Sequence, residues 1–144
     1  MKKTTLFVTA AFVFILSAAT VQAQEGFSKV VTDPARWDAI EFSAPTECSE
    51  SPEECAVKML TELKIDVGSE PNFSVYHLGN VEEKDVTVVF VSKFIEDDDL
   101  VLAKLFRLAL DKNNASDNSF GLDEVGVMYQ CMNGPVGWSK TPCS

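Results

Sequence analysis

Four cysteines, Cys48, Cys55, Cys131 and Cys143, constrain this chain more than any other feature, because the redox compartment decides whether they are cross-links, metal ligands or reactive thiols. The N-terminus supplies the compartment. Lys2 and Lys3 make a basic start, residues 6–16 run almost continuously apolar, and Val21-Gln22-Ala23 places small residues where a signal peptidase reads them. Residues 1–23 therefore read as a secretory signal peptide and residues 24–144 as a single mature domain. The apolar run is too short, and too closely followed by polar residues, for a membrane span. No cysteine stands at the junction to carry a lipid. A periplasmic or secreted chain with no membrane insertion after cleavage is expected, and with it two disulfides.

Four cysteines admit three connectivities. Local pairing, Cys48 with Cys55 and Cys131 with Cys143, is favoured because each pair brackets a turn-rich segment; the spacing leaves the other two connectivities open. A zinc site needs cysteine pairs two to four residues apart, and His77 is the only imidazole. No metal and no cofactor are expected.

Removing 23 of 144 residues leaves 121, with ten basic side chains facing 22 acidic ones, a net charge of −12. That field repels nucleic acid and anionic membrane surfaces. The length supports one domain of two packed layers, burying roughly two thirds of the unfolded surface.

Asp33-Pro34 opens a short helical turn, with Asp33 as cap, Pro34 in the first turn and Trp37 as a core anchor. Residues 44–51 read as a loop. Ser51-Pro52-Glu53-Glu54 is a capping box with proline in the first turn, and Ala56, Met59, Leu60 and Leu63 repeat at helical spacing, predicting a helix over residues 52–64. Beyond Pro71 the period shortens towards two. Strands are predicted at 73–78, closed by Gly79-Asn80, at 85–94, and at 122–131. In the second of these, Val86, Val88, Phe90 and Phe94 share one face, while Thr87, Val89, Val91 and Lys93 share the other, which suits a strand covered on both sides. Residues 100–110 fit a long apolar strand or a helix striped by Lys104, Arg107 and Asp111; their place after an acidic turn favours the strand. Residues 132–144 read as a loop returning to Cys143. The fold class is α+β: one helix across a four-stranded antiparallel meander spanning residues 72–131. Val57, Leu60, Leu63, Val88, Phe90, Leu105 and Val127 are its expected core.

No catalytic residue is expected. A Ser/His/Asp triad would need His77, but no G-x-S-x-G elbow occurs, and His77 reads as an ordinary strand residue. The acidic run at 96–99 and the acids between 111 and 124 lack the spacing of a calcium loop and read as solvated turns. The Asn72 and Asn114 sequons matter only in a eukaryotic secretory pathway, and the Lys-Lys signal looks bacterial. The tail carries the sharper hypothesis. A Cys131–Cys143 bond would clamp a loop presenting Asn133 and Trp138, a rigid recognition element whose ordering cost is met before binding; the competing reading folds Trp138 back over the sheet end.

Asp98-Asp99, Arg107, Cys131 with Gly134, Trp138-Ser139 and Cys143 lie in an order that resembles short exported bacterial proteins of unassigned function. In those, an Asp-Asp turn precedes a strand with a central Arg and a C-x-x-G…W-S…C ending. The resemblance spans residues 86–144, lacks their basic glycine-rich segment, and supplies no activity. It implies a strand over residues 100–110 and a Cys131–Cys143 bond. Tyr129-Gln130-Cys131 is similar to a motif of periplasmic lysozyme inhibitors, whose other elements come in a different order. The outline of a helix, an antiparallel sheet and two disulfides is similar to cystatins, without their Gln-x-Val-x-Gly segment. The expected function is a non-enzymatic binding or inhibitor-type envelope protein whose partner is a basic envelope or secreted protein, such as lysozyme. The alternative is a small periplasmic hydrolase or ligand carrier, with a pocket between helix and sheet and His77 or an acid at its mouth.

Overall fold

The computed structural model describes residues 33–43, 47–81, 84–112, 119–134 and 136–144. The expected signal peptide, residues 24–32 and the Asn114 sequon lie outside them. A 3-10 turn, Pro34–Arg36, is capped by Asp33, whose carboxylate accepts from the Ala35 N–H at 3.0 Å. Strands β1 (Asp38–Ala39) and β2 (Glu47–Cys48) precede helix α1 (Pro52–Glu62). Then come β3 (Asn72–Val81), β4 (Lys84–Phe94), β5 (Val101–Lys112), β6 (Phe120–Cys131) and β7 (Trp138–Ser139).

The helix starts where the capping box predicts. Ser51 Oγ accepts from the Glu54 N–H at 3.3 Å, and Glu54 Oε2 accepts from the Ser51 N–H at 3.2 Å. Ser51 Oγ–H also donates to Glu54 Oε2 at 2.9 Å, and this bond, with the one from the Ser51 N–H, holds the Glu54 carboxyl below its ordinary value. The helix stops two residues short of the predicted end, because Lys64 turns left-handed at φ 60°. Lys64 N–H then donates to the Thr61 carbonyl at 2.9 Å and Ile65 N–H to the Leu60 carbonyl at 2.8 Å, the two bonds of a Schellman close.

Among the described residues the sheet is antiparallel and has seven strands, in place of the expected four. Long strands β3, β4, β5 and β6 are neighbours in that order, and β1, β2 and β7 all add to β6. Each added strand is two residues long, too short to show a period; pairing to the open edge of β6 creates it. The segments read as loops at 44–51 and 132–144 thus contain β2 and β7. Residues 101–112 are strand, paired on both sides, and a strand buried on both faces shows the continuous apolar run that also fits a helix. Gly79-Asn80 does not end β3. Gly79, at φ 71°, takes part in a bulge after His77, and pairing resumes to Val81.

The expected core divides between the two faces of the sheet. Beneath α1, Met59 and Leu60 pack with Val89, Val91, Phe106, Leu108 and Val127. On the opposite face, Trp37 covers Val88, Phe90, Ala109 and Met128, with Leu105 partly buried beside them. Val57 and Leu63 are likewise only partly buried. Trp37 stacks on Phe90 at 5.5 Å between ring centroids, and Tyr76 meets Phe90 edge-on. Arg107 also lies on this second face, its side chain 5% exposed and bonded to Glu124 Oε2 at 3.0 Å.

Both disulfides form with local connectivity. Cys48–Cys55 ties β2 to the first turn of α1, and Cys131–Cys143 ties the tail to the end of β6. They suit a non-reducing, extracellular-type environment. Among the described residues no helix is long and apolar enough to cross a membrane.

Candidate functional site

The clamped tail folds back on β6 as an extra strand. Gln130 pairs with Trp138 and Tyr129 with Ser139, so the disulfide and these pairs together fix the loop between them. Paired residues of neighbouring strands point to the same face. The pairs Phe94 with Ala103, Ala103 with Gln130 and Gln130 with Trp138 therefore form one row across four strands. At about 4.8 Å per strand, Phe94 and Trp138 stand roughly 14 Å apart. Trp138 is 41% exposed and Phe94 66% exposed, so Trp138 is not folded away as a cover for the sheet. Asn133, the other predicted contact, is exposed in the same loop.

Leu100, Leu102, Met132 and Val136 are exposed apolar residues at this same end of the sheet. Met132 N–H donates to the Leu100 carbonyl at 2.8 Å, which joins the tail to the β4–β5 turn. That turn carries the acidic run. Asp98 is structural: its Oδ1 accepts from the N–H groups of Leu100 and Val101 at 2.8 and 3.1 Å, which lowers its pKa. Glu96, Asp97 and Asp99 are exposed. An apolar end surface beside three free-facing carboxylates is the result. Sequence reading missed Phe94, placed with the buried face of β4, and missed Leu100, Met132 and Val136; the available signal was an acidic run with apolar residues directly on both sides.

A cavity of 510 Å³ opens on the other face, under the C-terminal end of α1. Its apolar wall includes Ile40, Phe106 and Val127, and its polar groups are Asp38, Lys64, Asp66, Lys93, Lys104 and Tyr129. Lys93 Nζ bonds Asp66 Oδ2 at 2.6 Å, and this bond, with the Gly68 N–H, lowers the Asp66 pKa. Tyr129 O–H donates to Asp38 Oδ2 at a long 3.4 Å; burial, then the Asp38 charge, raises the phenol's pKa. Lys104 Nζ sits 5.8 Å from the Tyr129 ring centre.

His77 is exposed on β3, with Nδ1 2.9 Å from Thr87 Oγ1, and lines neither this cavity nor the end surface. Cys48, Glu50 and Cys55 lie close together, but both sulfurs belong to the disulfide; neither is a thiolate, so the trio offers a metal only one anionic ligand. The contact of Glu50 Oε2 with Cys48 Sγ at 3.0 Å involves no S–H and is not a hydrogen bond.

Together these features describe an α+β domain stapled by two disulfides, with one apolar, acid-flanked end and one lysine-lined cavity. No protein-family model, no curated protein and no solved structure matches the chain.

Proposed function

We infer that this is an exported, periplasmic or secreted, non-enzymatic binding protein that recognises a basic protein through the clamped end of its sheet. The observation that carries this reading is the exposed set Phe94, Leu100, Met132, Val136 and Trp138 beside Glu96, Asp97 and Asp99. Aromatic anchors in fixed positions supply binding energy at low ordering cost, and a charge of −12 steers a cationic partner into place. The exposed position of His77, with Thr87 as its hydrogen-bond partner among the described residues, favours this reading over a hydrolase.

The test is titration of the oxidised protein against a basic enzyme, lysozyme, at low and high salt. A complex that weakens with salt, and that loses at least tenfold in affinity in Trp138→Ala, is expected; tenfold is about 1.4 kcal/mol. Affinity unchanged by both Trp138→Ala and reduction of Cys131–Cys143 would remove the clamped end from the mechanism.

A further inference from the structure

Two local rules of stability are broken around the cavity beneath α1. Lys93 pairs directly with Lys104 across β4 and β5, and Lys104 pairs directly with Tyr129 across β5 and β6. All three side chains thus share one row on the helix-covered face. Like charges placed directly opposite one another destabilise a sheet. Lys64 holds the left-handed position that closes α1, where glycine is strongly preferred, and is the only described residue other than glycine with positive φ. The two departures converge on one space, since Lys64, Lys93 and Lys104 all line it.

Charge makes the convergence more telling. Acids outnumber bases by more than two to one in residues 24–144, so a partner carboxylate is easily found for any lysine. Lys93 has one in Asp66. Among the described residues, neither Lys64 nor Lys104 has a carboxylate within 4 Å, although Lys104 lies near enough to Asp98 to help lower its pKa. Three lysines against Asp38 and Asp66 leave this cavity at +1 inside a strongly anionic protein. Local rules broken together at one place mark function more often than accident.

The lining sets the class of ligand. Ile40 is partly exposed in the cavity, and Phe106 and Val127, 4% and 5% exposed, form its apolar floor. The volume falls within the range of about 300–1,000 Å³ usual for small-molecule sites. Lysines supply mobile point charges and no planar fork, so a compact anionic head is matched better than an extended, multidentate one. We propose that this cavity binds a small amphipathic monocarboxylate, its head between Lys64, Lys93 and Lys104 and its apolar body against Ile40, Phe106 and Val127. The mouth carries lysines, where the sequence suggested His77 or an acid for a ligand carrier. The site lies on the opposite face of the sheet from the row that ends in Trp138, so it does not depend on the protein-binding reading.

Calorimetric titration of the oxidised protein with octanoate tests the proposal, with heptyltrimethylammonium as a probe of equal alkyl length and opposite head charge. Octanoate is expected to saturate one site and the ammonium to show no saturable binding. Lys93→Gln/Lys104→Gln should weaken octanoate at least tenfold, while Lys58→Gln, outside the cavity, and Trp138→Ala leave it unchanged. Should the double variant fail to fold, the single variant Lys64→Gly, which relieves backbone strain, must still weaken octanoate several-fold. Absence of saturation, equal binding of both head groups, or wild-type affinity in the lysine variants overturns the proposal.

Discussion

Replacing Gly126 with alanine puts a methyl group where the Trp37 side chain begins. A Cβ built at Gly126 lies 2.7 Å from Trp37 Cβ and 3.4 Å from both Trp37 Cγ and the Asp38 carbonyl oxygen. Carbon atoms rest about 3.5–4.0 Å apart, so the Trp37 segment must retreat by roughly 1 Å. It cannot do so by changing rotamer, because the colliding atom is Cβ. The backbone behind it is held by Trp37 N–H to the Pro34 carbonyl at 3.1 Å, by the pairing of β1 with β6, and by Ile40 N–H to the Val125 carbonyl at 2.9 Å. Overpacking of this kind costs about 1–3 kcal/mol, and complete release of Trp37 sets a ceiling near the 3–5 kcal/mol of a tryptophan truncation. We expect about 2–3 kcal/mol. At a urea slope of about 1–3 kcal/mol per molar, the unfolding midpoint drops by roughly 0.7–3 M.

Two readouts check the cause. Trp37 is 5% exposed and Trp138 41%, so loosening Trp37 adds a second quencher-accessible tryptophan to the one already present. The decisive control is Gly126→Ala combined with Trp37→Gly, since Trp37→Ala would keep the colliding Cβ. In the glycine background the added methyl should cost nothing, or stabilise by about 0.5–1 kcal/mol through the better strand preference of alanine. An unchanged urea midpoint in Gly126→Ala, or the same loss with and without the Trp37 side chain, refutes the reasoning.

Lys64→Gly should raise stability by about 1 kcal/mol, read as a higher urea midpoint, because glycine holds φ 60° without the Cβ penalty; Lys64→Ala, which keeps the Cβ, should show no such gain. Acid should weaken the fold in a defined window. Asp66, Asp98 and Glu54 have folded pKa values below their ordinary 3.8, 3.8 and 4.5, so their contribution is complete above that range and is lost as pH falls through the lowered values. Asp66→Asn should flatten that limb of a urea-midpoint profile. At the alkaline end the sign reverses: Tyr129 and Lys84 are raised above 10.0 and 10.5, so stability present below those values is lost as pH rises through the raised ones. Tyr129→Phe should make that loss shallower.

Elements with a local cause were legible residue by residue. The cap at Ser51, the turn after Asp33 and the long strands rest on neighbours within a few positions, and all are present; the two local disulfides, favoured among three connectivities, span 7 and 12 positions and also form. Trp37 was legible as a core anchor, yet nothing in its own segment shows that it covers the face of the sheet turned away from the helix. The sites were far less visible. Trp138 could be singled out, because its loop is bounded by cysteines. Lys93 and Lys104 could not, since each reads alone as a polar residue interrupting an apolar strand.

What the amino-acid order determined by itself is the set of local structures: where the helix begins and which stretches alternate as strands. The tertiary structure alone decided the register. One residue of slip would turn every side chain to the opposite face. The pairing of Phe94 with Ala103, Ala103 with Gln130 and Gln130 with Trp138 assembles the exposed end. The pairing of Lys93 with Lys104 and of Lys104 with Tyr129 gathers the cavity. Both depend on contacts between residues far apart in the chain, and such contacts are set by the whole sheet closing its cores at once.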